Sequence, residues 1–165
     1  MARKTGIFAG IMAFILAFIH EIPIFPPGNF LLNFHIFTLD NVYYYYWGYV
    51  INGTTGYSSI ALLPIENLFA LLIWLMIFLI GLISIMASTT KARFSNSIKL
   101  YKISILLILL LLSIFGIIII FSILEELLVD IFVFLNVFGL GYYMLIIILI
   151  LNIIALKKLK KLAEG

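Results

Sequence analysis

Five side chains in this sequence have the chemistry to share a metal ion: His20, Glu21, His35, Asp40 and Glu66. Imidazole nitrogen with carboxylate oxygen suits copper, zinc or iron. The two histidines alone would suit a haem, provided both sit at matched depth inside a bundle. The same residues also have a plain structural role. His20 and Glu21 stand where an apolar segment meets water, and Asp40 and Glu66 can be solvated or can cap neighbouring backbone. No cysteine is present, which excludes disulfides, thiolate nucleophiles and Cys-ligated zinc or iron–sulfur clusters. No His-Glu-x-x-His motif, phosphate-binding glycine loop or Gly-x-Ser-x-Gly elbow occurs. The sequence requires no cofactor and supplies no catalytic residue, so any chemistry rests on whether the elements bring those five together.

The elements are apolar blocks. Of 165 residues, 65% are hydrophobic and only 10% charged, against about 25% charged in a soluble domain. The apolar residues run in long blocks without the alternation of a soluble core, which predicts one all-α membrane domain, a four-transmembrane-helix bundle. The spans are expected at about 6–22, 65–87, 103–124 and 131–156, with an outer loop at 23–64, a cytoplasmic loop at 88–102 and a basic tail at 157–165. A basic start before an apolar stretch also fits a signal peptide, but no small-residue cleavage site follows.

Charge sets the orientation. With four spans, all ten Lys and Arg (Arg3, Lys4, Lys91, Arg93, Lys99, Lys102, Lys157, Lys158, Lys160 and Lys161) fall on one side, and six of seven acids on the other. The two sides carry formal charges of +9 and −6, and the positive-inside rule places both termini in the cytoplasm. The sequon Asn52-Gly53-Thr54 then lies outside, where Asn52 could be glycosylated. Lys157, Lys158, Lys160 and Lys161 continue the last helix toward anionic headgroups. The net charge of +3 therefore reads as topology, not as a nucleic-acid surface.

Small residues mark the expected helix contacts. Gly6, Gly10, Ala13 and Ala17 line one face of the first span, Gly81, Ser84 and Ser88 a face of the second, and Ser113 and Gly116 lie in the third. In the fourth, Asn136 needs a partner in hydrocarbon, and with Gly139 and Gly141 it forms either a ligand pocket or interhelical glue with a local bend. Asn152, close to the cytoplasmic boundary, is less informative. About six residues, from Glu125 to Asp130, predict a tight hairpin between the last two spans.

The outer loop is long and aromatic. Pro23, Pro26 and Pro27 stop helix continuation, and the region of Phe30 to Phe37 is expected along the membrane interface. A run from Val42 to Ile51, then Asn52-Gly53 as a turn, predicts a β-hairpin with residues 54–60. Tyr43, Tyr44, Tyr45, Tyr46, Trp47 and Tyr49 are candidate contacts for a partner or for headgroups. Four spans, cytoplasmic ends and such a loop are similar in outline to the claudins. Their hallmark joins a tryptophan motif to two cysteines in that loop; Trp47-Gly48 stands here and both cysteines are missing, so the outline alone is shared.

No charged residue falls near the middle of a span, which removes the usual signature of ion pathways and proton relays. The expected role is a non-catalytic small integral subunit of a larger membrane complex, in the cell membrane of a bacterium or archaeon. Its partners would be the bilayer, structural lipids and other membrane subunits, with no nucleic acid. Two other readings are a haem- or metal-binding redox subunit using His20 and His35, and a stand-alone adhesion or organising protein of claudin-like outline.

Overall fold

A computed structural model describes residues 2–19, 21–24, 29–39, 42–53, 56–59, 64–89, 94–125 and 138–164. Four helices carry most of them: α1 (Ala2–Phe18), α2 (Pro64–Thr89), α3 (Phe94–Glu125) and α4 (Leu140–Glu164). Three contain stretches long and apolar enough to cross a membrane, Leu71–Thr89, Ser95–Ile118 and Leu140–Ala163, and α1 supplies a shorter apolar helix, Lys4–Phe18. The chain is thus a mostly helical, multi-pass integral membrane protein. The principal contacts run α1 to α2, α2 to α3, α3 to α4 and α4 back to α1.

Several boundaries differ from the sequence-based expectation. The first helix ends at Phe18 rather than near residue 22, because Ile22 precedes Pro23 and is biased toward extended backbone. The chain instead enters strand β1 (Glu21–Ile24). The third helix begins at Phe94, nine residues earlier than expected. Ser97 and Tyr101, one turn apart, are both buried there, so this segment has an inward face. The last described helix begins at Leu140, and Phe138 is extended, forming an isolated bridge to Phe37. The expected hairpin turn at 125–130 and Asn136 lie largely or wholly outside the described residues.

Among the described residues, six strands lie between α1 and α2. β1 pairs antiparallel with β2 (Asn29–Asn33), and β3 (Phe37–Leu39), β4 (Val42–Tyr45), β5 (Gly48–Gly53) and β6 (Gly56–Ser59) form an antiparallel meander. The expected single strand over 42–51 is broken at Tyr46-Trp47, where Tyr45 pairs with Gly48 across a two-residue turn. Gly48 has φ 150°, a conformation that a side chain would strain, so the turn closes there. The next turn also falls later than Asn52-Gly53: Gly53 pairs with Gly56, leaving positions 54 and 55 between them. Tyr, Val, Thr and Phe favour this pleated, half-buried setting.

Small residues set the helix crossing. Gly6, Gly10, Ala13 and Ala17 are all buried on α1. Gly10 faces the Gly81 carbonyl and Ile85, and Gly81 faces Phe14, so neither position has room for a methyl group without movement. Gly116 faces Tyr142 with ordinary clearance. Ser113 corrects the expectation of a helix contact: it is exposed, and its hydroxyl donates to the Leu109 carbonyl of its own helix at 2.8 Å. At the end of α1, the Trp74 indole donates to the Ala17 carbonyl at 3.0 Å, supplying a partner that the helix terminus leaves open. Phe14, Phe18, Trp74 and Phe78 surround that cap with ring contacts of 5.4–6.5 Å.

Candidate functional site

Two polar clusters stand out, at opposite ends of the bundle. The first is a seam shared by three helices. Ser84 and Ser88 on α2, Tyr101 and Ser104 on α3 and Asn152 on α4 are all buried. Ser84 Oγ donates to Asn152 Oδ1 at 3.0 Å, and Asn152 Nδ2 donates to the Ile148 carbonyl at 3.0 Å. Ser88 Oγ donates to the Ser84 carbonyl at 2.7 Å.

A hydroxyl has one proton, which fixes the remaining directions. With the Ser84 proton on Asn152, Ser104 must donate across the 3.0 Å contact to Ser84. With the Ser88 proton on its own helix, Tyr101 must donate across 2.7 Å to Ser88. Gly6 of α1 completes the seam by leaving space, since a side chain there would overlap Tyr101 Oη and Ser88 Oγ. Each such bond between helices contributes about 0.6–2 kcal/mol in a membrane. Sequence reasoning weighted Asn136 above Asn152. The Ser84/Ser88 face was legible as a helix contact; the missed signal is Ser97, Tyr101 and Ser104 at matching spacing on the next helix.

The second cluster joins the strands to the start of α4. Asn33 Oδ1 accepts from the His35 backbone N–H at 3.0 Å and from the Tyr45 hydroxyl at 2.9 Å. His35 Nδ1 lies 3.2 Å from the same oxygen, so the ring proton belongs on Nδ1. The amide side of Asn33 is different: Nδ2 is buried with no partner among the described residues. The backbone donor at His35 prevents an exchange of the two ends, because a flipped amide would set donor against donor. Burial holds the His35 imidazole below its usual pKa of 6.5.

The backbone of this segment grips α4. Gly139 N–H donates to the Ile36 carbonyl at 2.7 Å and Gly141 N–H to the His35 carbonyl at 2.8 Å. The Tyr46 hydroxyl donates to the Gly141 carbonyl at 3.2 Å. Side chains at Gly139 or Gly141 would overlap the backbone of Phe34 and His35, so both glycines serve close approach of the outer strands, not a neighbouring helix. Phe37 stacks on Tyr44 at 4.5 Å, and Phe37 and Tyr46 both meet Phe115 of α3. Burial, with Tyr142 adding, pushes the Tyr46 phenol above its ordinary pKa.

The expected outer-loop contacts therefore need correction at two positions. Tyr45 and Tyr46 are buried and bonded inward, because their hydroxyls find partners in Asn33 and Gly141. Tyr43, Tyr44 and Trp47 are half-buried; Tyr43 meets the His35 ring edge-on and Trp47 stacks on Tyr45. The side chains of Tyr49 and Asn52 lie outside the described residues, as do His20 and Asp40 altogether. Glu66 belongs to the first turn of α2, its side chain likewise outside the description. Glu21 pairs in register with Asn33. Among the described residues, no three His, Asp or Glu are gathered as a metal site. Lys157, Lys158, Lys160 and Lys161 are exposed around a buried Leu159, which gives the end of α4 one wet face and one packed face. Comparison with known protein families, with curated proteins and with solved structures found no match to this chain.

Proposed function

We propose that this chain is a non-catalytic small integral subunit of a larger membrane complex, crossing a bacterial or archaeal cell membrane four times with both ends in the cytoplasm. The observation that carries the reading is the buried seam. Its hydroxyls and amide are directed at one another and at backbone carbonyls, so they join α2, α3 and α4 and present no polar group to a substrate. The outer strands add to it, since they are fastened to α3 and α4 through backbone bonds and buried rings, as a rigid cover would be. Large apolar side chains on every helix, among them Phe8, Leu72, Leu106 and Ile147, face outward toward lipid or a neighbouring subunit.

Gentle extraction from native membranes, followed by native mass spectrometry, tests the proposal. The expected result is a fixed stoichiometry with the same partner subunits across several detergents and in lipid nanodiscs. A single-copy, monodisperse chain without partners under all those conditions would overturn it.

A further inference from the structure

Helix α1 is too short for the membrane that the other helices fit. From Lys4 to Phe18 it rises roughly 22 Å, against a hydrocarbon core of about 30 Å. Its end is also capped by an indole inside an aromatic cluster, where a helix ending in water would leave its carbonyls to solvent. About 8 Å of hydrocarbon therefore remains beside α1, and the next residues in the chain are the β1–β2 ribbon.

That ribbon has an unusual surface. Ile22 pairs with Leu32, and Pro23 with Phe30, so Leu31 is an extra residue that forms a bulge. A bulge sets two residues against one on the facing strand and re-aims a side chain. The result is that Ile22, Leu31 and Leu32 remain 38%, 65% and 40% exposed, where strict alternation would have sent Leu31 and Leu32 to opposite faces. Phe18 and Ile19, just before the ribbon, are exposed as well, as are Leu71 and Leu72 on the adjacent α2. Exposed apolar side chains thus stand on the helix side of this junction and again on the ribbon. Glu21, paired with Asn33, marks its other side.

We propose that the β1–β2 ribbon is seated in the leaflet opposite the basic chain ends, at the boundary between hydrocarbon and headgroups. There Ile22, Leu31 and Leu32 complete the lipid-facing surface that α1 leaves unfinished. The ribbon lies at the boundary, not deeper, because among the described residues β1 and β2 pair with no further strand, and an open sheet edge is not tolerated in hydrocarbon. The occupant of this apolar face is lipid, and the argument is independent of any partner subunit.

The absence of native cysteine makes the test direct. Full-length L31C, with L32C as a second variant, is labelled with a nitroxide and placed in nanodiscs of phosphatidylcholine and phosphatidylglycerol. Collision with oxygen and with a water-soluble nickel chelate is then compared with L106C, on the lipid-exposed face of α3, and K161C, on the wet face of α4. The expected oxygen-to-nickel ratio at both ribbon positions exceeds K161C several-fold and stays below L106C, which lies at the middle of its span. A ratio like K161C would put the ribbon in water, and exclusion of both reagents would mean that protein covers it; either result overturns the proposal.

Discussion

Two asparagines, Asn152 in the seam and Asn33 under the outer strands, are both buried and meet opposite fates. Asn152 is on a helix, so its amide finds the carbonyl of Ile148 one turn back while its oxygen accepts from Ser84. Asn33 ends a strand and lacks that helical arrangement, and its oxygen takes three donors while Nδ2 has no partner among the described residues. The contrast teaches that a helix carries its own reserve of acceptors for a buried amide, whereas a strand end depends on whatever the tertiary fold delivers.

The comparison is broken most directly by charging the first asparagine. Asn152→Asp removes the Ile148 bond and sets a carboxylate among hydroxyls in mid-helix, at an expected cost of about 3 kcal/mol in denaturant titration from mixed micelles. A variant as stable as the parent would show that the seam is wetter than its packing implies. Next in size, Gly141→Val pushes into the Phe34 and His35 backbone and should cost about 2 kcal/mol. Amide exchange is expected to accelerate across residues 33–46 and to stay slow along α2 and α3.

Acid should loosen the cluster around His35. His35 is held neutral by burial, so its folded-state pKa lies below the unfolded one, and protonation favours opening. The contribution is complete above the ordinary value of 6.5 and is lost as pH falls through and below it. Protection of the strands around His35, after correction for the intrinsic pH dependence of amide exchange, should therefore fall in mild acid, and His35→Gln should flatten that profile. Smaller still, Asn33→Asp deletes the stranded donor and keeps all three incoming bonds, so stability should change by under about 1 kcal/mol. Titration of His35 by NMR should then move to higher pH, because a carboxylate favours the imidazolium. Ser113→Ala, which touches only its own helix, should stay within about 0.5 kcal/mol in the same titrations.

The parts legible in the sequence were those governed by local composition. The apolar blocks found α2 almost to the residue, and small residues at helical spacing identified Gly6, Gly10 and Gly81 as places of close approach. The aromatic run gave strands, but their turns are set by pairing: Gly48 closes the first, and Gly53 with Gly56 moves the second two residues on. The roles of Gly139 and Gly141 were beyond reach, because the backbone they accommodate lies about a hundred residues earlier. Asn152 was underrated for a related reason, since its importance comes from Ser84 and Ser104 on other helices.

That long reach has a consequence for how the chain is made. The strands between α1 and α2 emerge from the ribosome early, yet Gly139 lies just before α4, and Gly141 and the carbonyl that receives Tyr46 lie in its first turn. Translation proceeds from the N-terminus at about 5–20 residues per second. The strands must therefore wait for about a hundred further residues without their seat, so it is the arrival of α4 that locks them in place.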